Sequence, residues 1–482
     1  MRHTSTLRNL LQPVNRLPPE IISHVVQYIP EESARDSSSI IPMTHVCRYW
    51  RDSIVSTHKH WTRISNKRVG LAELSLERCG VGSVEIWLDA DQAKITAGFF
   101  GLITPHLRNT RVLGVKFPFN RREYSQPLHK ILPLTPNLRS LSLLDCGGDH
   151  PERSNDPCGQ LTSSLTRLDL ANSPLYPSLL RLRTLTSLRI HGRSFRLHLD
   201  TFLDFLEENR ALGYADLAIL FDIHSLRNAR PRLPIKNRLR NLSTTFQYAP
   251  DLLCKIAVQE GAHLEVCLQL LGTELEYLRS IVSMDHLLNL RSPTCMKYCS
   301  DKVRTRTIQL LGPNGSFLLK VLMVTEALFV EFPLLPLSDI RTFHFEQRSP
   351  GPSNPWHTRT IPLPLSFPTL ETLVIERAAD VSLLLSSLFS NPSSSLPLKT
   401  LAFLDCRIGD GLVKELTRFS SDRKNTAEVR LRRVVIVNSD GQLPHAALID
   451  ELGKYVPVVD VRVGKELPPD LRWNSQSADG RS

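Results

Sequence analysis

Hydrophobic residues follow two different rhythms along this chain. Between residues 16 and 64 they recur at helical spacing. The stretch LPPEIISHVVQYIP, Leu17 to Pro30, opens with two prolines that suit a first helical turn. Glu20 then sits where the positive end of a helix dipole favours an acid. Ile21, Ile22, Val25, Val26 and Ile29 follow at i, i+1, i+4, i+5 and i+8, which makes one apolar face, and Pro30 ends it. A polar connector, EESARDSSS, leads to a second helix expected from Pro42. It places Met43, Val46, Cys47, Trp50 and Ile54 on one stripe. Trp61 and Ile64 come after another short polar break. About fifty residues with so small a core bury little surface alone, so the module is expected to lean on the rest of the chain or on a partner.

From residue 71 the rhythm changes. LAELSLERC (Leu71 to Cys79), LRSLSLLDC (Leu138 to Cys146) and LKTLAFLDC (Leu398 to Cys406) share the pattern Leu-x-x-Leu-x-(Leu or Phe)-x-x-Cys. Looser copies begin at Leu165, Leu185, Leu239, Ile340 and Leu370, and VRLRRVVIV (Val429 to Val437) reads as a late or capping strand. Leu138 to Leu165 is 27 residues, Leu165 to Leu185 is 20, Ile340 to Leu370 is 30, and Leu370 to Leu398 is 28. This pattern and period resemble leucine-rich repeats. Each repeat would offer a short strand with inward leucines that only a stacked neighbour can bury, which gives a solenoid. Between about 270 and 338 the register blurs. The boundaries that follow are an N-terminal tail at 1–15, a helical domain at 16–68, a repeat domain at 69–462 and a C-terminal tail at 463–482.

Composition narrows the class without changing it. The 482 residues are 41% hydrophobic and 22% charged, as in a foldable chain. No apolar run reaches the roughly 18 residues of a membrane helix. The longest candidate, FLLKVLMVTEALFVEFPLL, carries Lys320, Glu326 and Glu331 and is expected in a core. The first 19 residues hold arginines and no acid, a faint likeness to a transit peptide, but they lack a secretory apolar segment. Nine scattered cysteines form no compact disulfide framework, so a reducing compartment, cytoplasmic or nuclear, is expected. The net charge of +11 is spread along the chain; it fits an acidic protein partner as well as nucleic acid.

Candidate chemistry is sparse. Cys79, Cys146 and Cys406 hold the repeat position where Asn or Cys turns inward to bond backbone. Cys146, His150 and Cys158 are three potential zinc ligands with no paired Cys-x-x-Cys and no fourth. His263 with Cys267, and Cys295 with Cys299, stand four apart, a spacing a helix could align, but each is an isolated pair, for which a buried thiol is the commoner outcome. GPNGS, Gly312 to Ser316, lacks the Lys-Ser/Thr of a phosphate loop and reads as a turn. No nucleophile elbow, zincin helix or dinucleotide turn occurs. In MTHVCRYWRDSI, His45 and Cys47 are two apart; on a helix about 200° separates them, so they share neither a metal nor a proton. No catalytic residue, metal or cofactor is expected.

That last stretch carries a further resemblance. LPPEII, a variable link, then VCRYWRDSIVSTHKHWTRI resembles the F-box, in particular the F-box-like domain common in mushroom-forming fungi. The matching residues are Leu17 to Ile22, Val46-Cys47-Arg48 with Trp50-Arg51, and Trp61; the link is longer and Ser-rich, with Pro42 close to the second helix. The resemblance implies a small N-terminal helical F-box followed by a leucine-rich-repeat-like α/β solenoid. It implies a non-catalytic substrate receptor of a Skp–cullin–F-box ubiquitin ligase. Leu17, Pro18, Ile21, Ile22, Val25, Ile29, Val46, Cys47 and Trp50 would then dock the Skp-family adaptor, and through it a cullin, or support that surface. Repeat-strand positions such as Ser142, Thr166, Arg189 and Thr372 would face an unknown protein substrate. Two other readings stay open: a scaffold that holds the adaptor outside ubiquitin transfer, and a basic nucleic-acid-associated repeat protein.

Overall fold

The computed structural model describes residues 12–28, 37–89, 97–116, 128, 130–145, 164–173, 178–221, 235–236, 239–245, 252–257, 260–270, 287, 292–300, 305–313, 315–323, 338–347, 367–378, 381, 385, 397–406, 411–412, 414–416, 431–438, 446–454, 456–464 and 466–473. The chain divides into two compact units, Met1–Leu212 with Ala218–Asp222, and Gly213–Leu217 with Ile223–Ser482.

The first unit begins with two short helices, α1 (Pro19–Gln27) and α2 (Arg48–Val55). It continues into parallel strands β1 (Arg63–Ser65), β2 (Val84–Asp89), β3 (Thr110–Lys116), β4 (Ser140–Leu144), β5 (Arg167–Ala171) and β6 (Ser187–Leu197). Each of β1 to β5 hydrogen-bonds to the next in sequence, as stacked repeats require. Alternate residues face one core: Ile86 and Leu88, Leu113 and Val115, Leu141 and Leu143, Leu168 and Leu170, Leu188 and Ile190 are all buried. Helices α3 (Val69–Cys79), α4 (Ala97–Ile103) and α5 (Leu199–Glu208) lie in the connections and bury one face each.

In the second unit, the first four residues of β7 (Tyr214–Phe221) pair in parallel with β9 (Asn241–Thr245), which pairs with β11 (His263–Leu270). Two-residue strands β8 (Ile235–Lys236) and β10 (Ile256–Ala257) pair separately. The order then departs from simple stacking. β12 (Cys295–Ser300), β13 (Thr305–Gly312) and β14 (Gly315–Met323) form an antiparallel meander inserted between β11 and β15 (Thr342–Gln347). Parallel stacking resumes through β16 (Thr372–Glu376), β17 (Thr400–Leu404), β18 (Arg433–Asn438) and β19 (Val458–Val463), with α6 (Ala446–Gly453) before the last strand.

The meander explains the blurred register between 270 and 338, because an antiparallel hairpin has no repeat period. GPNGS falls where β13 meets β14: Gly312 pairs with Gly315, whose φ of 116° is open to glycine and strained for other residues. Phe317 of the long apolar run is buried, and residues 324–335 of that run lie outside the described residues.

Two expectations are corrected. LAELSLERC is no repeat strand but helix α3, which buries Ala72, Ser75, Leu76 and Cys79 at i, i+3, i+4 and i+7. Its Ala, Glu, Leu and Arg are strong helix formers, and it forms the crossover that parallel strands β1 and β2 need. The helix expected from Pro42 is broken: a 3-10 turn spans Pro42–His45, and Cys47 is extended (φ −159°, ψ 174°) as the N-cap of α2. His263 with Cys267, and Cys295 with Cys299, lie on strands, where four residues span about 13 Å. Neither pair meets.

The repeat turn has a recurring geometry. The eighth residue of the motif takes positive φ at Asp145 (53°), Asn172 (48°), Arg377 (57°) and Asp405 (53°). Each donates its N–H to the following strand: to Ala171, His191, Leu404 and Val437 carbonyls at 2.6–2.8 Å. The ninth residue then turns inward, as buried Ser173, Ala378 and Cys406 show. Cys406 Sγ donates to the Ile375 carbonyl of the preceding repeat at 3.3 Å, and burial pushes its thiol pKa up to about 12. Cys146, His150 and Cys158 lie outside the described residues.

Candidate functional site: the helical module and its exposed face

The helical module is built around Ile22, Val26, Trp50, Ile54 and Trp61, all buried. Burying each stabilises by about 1.5–3 kcal/mol. Trp61 Nε1 donates to the Ile54 carbonyl at 3.1 Å, and the Arg78 guanidinium lies 4.3 Å from its ring. Tyr49 Oη donates to the Leu17 carbonyl at 2.8 Å, which fastens the Leu-Pro-Pro entry to α2. Arg51 Nε donates to the Thr44 carbonyl at 3.0 Å and holds the 3-10 turn against the same helix. A buried polar contact joins Ser23 Oγ and His60 Nε2 at 3.0 Å, and burial, aided by Lys59, pulls the His60 pKa below its ordinary value. His60 is therefore held neutral.

The module is not a separate bead. Ser37 Oγ donates to the Arg63 carbonyl at 3.0 Å, and β1 continues directly from Trp61 into the sheet. Arg63 meets Glu85 at 3.3 Å. The Asn66 amide both donates to the Asp89 carbonyl (3.0 Å) and accepts from its N–H (2.7 Å), which pins β1 to β2 beyond their last paired residues. Lacking a large core of its own, the module completes it with α3 and the first strands.

The structure sorts the residues singled out from sequence. Ile22 is fully buried, and Trp50 is buried as well. Ile21 is 43% exposed, Val25 39% and Val46 51%. Pro18 is exposed, Leu17 and Cys47 are half-buried, and Ile29 lies outside the described residues. Tyr28, the C-cap residue of α1 and 84% exposed, lies outside the set expected from sequence, although it stands at i+7 from Ile21 and i+3 from Val25. That spacing was the available signal. So α1 has two apolar sides, one in the core and one in solvent.

The repeat-strand positions also divide. Ser142 is buried; Thr166 and Thr372 are half-buried, and Arg189 lies 3.9 Å from Asp169. In the second unit the outward strand positions hold a largely buried ionic cluster, Lys297 with Glu346 at 2.8 Å and His344 with Glu376 at 3.0 Å, and the half-exposed turn residue Arg377 joins it at 3.3 Å from both Glu346 and Glu376. Among the described residues, no three His, Cys, Asp or Glu side chains gather into a metal-binding group. No described helix is long and apolar enough to cross a membrane.

Comparison with known proteins places the module in a class. Residues 14–67 match the F-box-like family model, and the apolar exposed face, the half-buried Leu17 and the Trp50–Trp61 core all fall within that span. Among curated proteins no match is found. Among solved structures, the leucine-rich repeat-containing protein LegL7 from Legionella pneumophila is similar at 11% identity. That match covers 76% of this chain and 98% of the other, with a TM-score of 0.21, too low to carry an argument.

Proposed function

We propose that this chain is the substrate-recognition subunit of a Skp–cullin–F-box ubiquitin ligase, with an F-box-like domain at 16–68 and a substrate-binding repeat domain at 69–462. The observation that carries the proposal is the second apolar side of α1, presented within the F-box-like match. Ile21, Val25, Tyr28 and Val46 leave more apolar surface in water than so small a module exposes without use. Leu17, Pro18, Ile21, Val25, Tyr28 and Val46, with Ile29 by its spacing, contact the Skp-family adaptor. Ile22, Cys47 and Trp50 support that surface from behind. The repeats hold a protein target and the adaptor brings a cullin, so the chain contributes proximity and performs no chemistry itself. It works in the cytoplasm or nucleus.

Affinity purification from cells with the proteasome and neddylation inhibited tests this reading. The adaptor and a cullin are expected to co-purify, together with a stabilised target. Recovery of the adaptor without a cullin would favour a scaffold outside ubiquitin transfer, and recovery of neither would contradict the proposal.

A further inference from the structure

On β16, β17 and β18, inward residues such as Leu373, Leu401 and Val434 build the repeat core. The alternate residues point the other way, where the first unit carries Ser142, Asp169 and Arg189. Here they are Val374, Ala402, Leu404, Val435 and Val437, all apolar and all buried. They are covered by the chain's own C-terminal segment. Leu467 and Leu471 close one buried cluster with these five side chains. Asp470 accepts from Arg433 Nη1 at 2.6 Å at the rim, and Trp473 packs edge-on to His344, 6.3 Å between centroids, beside the ionic cluster.

The cover is lightly held. Within the segment the backbone bonds are local, Leu471 N–H to Pro468 and Arg472 N–H to Pro469. Arg472 also turns back on the segment, to the Leu467 carbonyl and to Glu466. Among the described residues, the hydrogen bond between segment and sheet is that from Arg433 to Asp470. Two leucines, one acid and one aromatic ring thus occupy an apolar groove with a cationic rim, the arrangement of a bound peptide.

We propose that this face of β16–β18 is a peptide-binding groove, closed in cis by residues 466–473. Its ligand is a segment of a partner protein with aliphatic residues four apart, an acid directly before the second, and an aromatic two residues beyond. The inference deepens the receptor reading and rests on it only in taking that partner to be the target. A tethered competitor acts at high effective concentration, so the groove admits only ligands that reproduce these contacts.

The test uses the full chain with a specific protease site inserted after Gly464 and a fluorescent peptide of residues 464–475. Before cleavage the peptide should not raise its anisotropy; after cleavage and dialysis it should bind saturably. Arg433→Glu should weaken that binding at least about tenfold, and a peptide with Asp470→Arg should recover it, which a folding defect would not do. Collapse of the sheet circular dichroism on cleavage would make the segment a permanent part of the core and overturn the proposal. Failure of the cleaved, folded chain to take up peptide would do the same. A concentration-dependent dimer of the cleaved chain, with the similar Leu17–Ile21 segment of a second copy in the groove, would overturn the assignment to another protein. Adaptor capture by the cleaved chain should be unchanged, which separates failure here from failure of the receptor reading.

Discussion

At Ile22 a carboxylate would have no water and no partner, whereas one residue earlier, at Ile21, it would stay solvated. Ile22→Ala should cost about 2–5 kcal/mol, seen as a lowered denaturant midpoint. His60 adds a pH dependence. Its folded pKa lies below the ordinary 6.5, so the unfolded chain binds more protons as pH falls through that value, and stability drops toward acid. Thermal melts from pH 8 to 5 should show this loss, and His60→Gln should flatten it. Cys406, its thiol pushed up to about 12, should escape alkylation in the native chain under conditions that label the half-buried Cys47, as peptide mass spectrometry would show.

The elements were legible wherever one period decided them. Helix α1 and the repeat strands β4, β5, β9, β15, β16, β17 and β18 all lie where their patterns put them, although the one apolar face expected of α1 is divided between core and solvent. LAELSLERC misled because Leu-x-x-Leu-x-Leu fits both a strand and a helix, and there propensity together with the need for a crossover decided the outcome. Cys47 misled because a cap residue can share a helical stripe in sequence and still lie outside the helix. Tyr28 is not legible as part of the exposed face, because sequence does not divide a two-sided apolar helix into core and surface. The repeat turn was legible as a ninth-position cysteine, but not as the left-handed residue before it. Asp405→Gly should leave stability unchanged or slightly raised, while Asp405→Val should cost about 1–2 kcal/mol, measured by chemical denaturation.

Across the whole molecule, the +11 charge is spread along the chain and not gathered into one stripe, so it fits an acidic protein partner as well as nucleic acid. What composition and periodicity could not convey was how the ends are used. The F-box-like module hands its last strand, β1, to the sheet, and the C-terminal segment folds back over β16–β18. Both depend on pairings between distant residues that no local pattern encodes. The central claim is that the outer side of α1 docks a Skp-family adaptor. It is tested most directly by measuring the affinity of purified adaptor for the full chain and for Ile21→Asp. The expected result is a loss of about 30-fold or more, that of a 2 kcal/mol hot spot, with an unchanged melting temperature. Equal affinity of the two folded chains would contradict it.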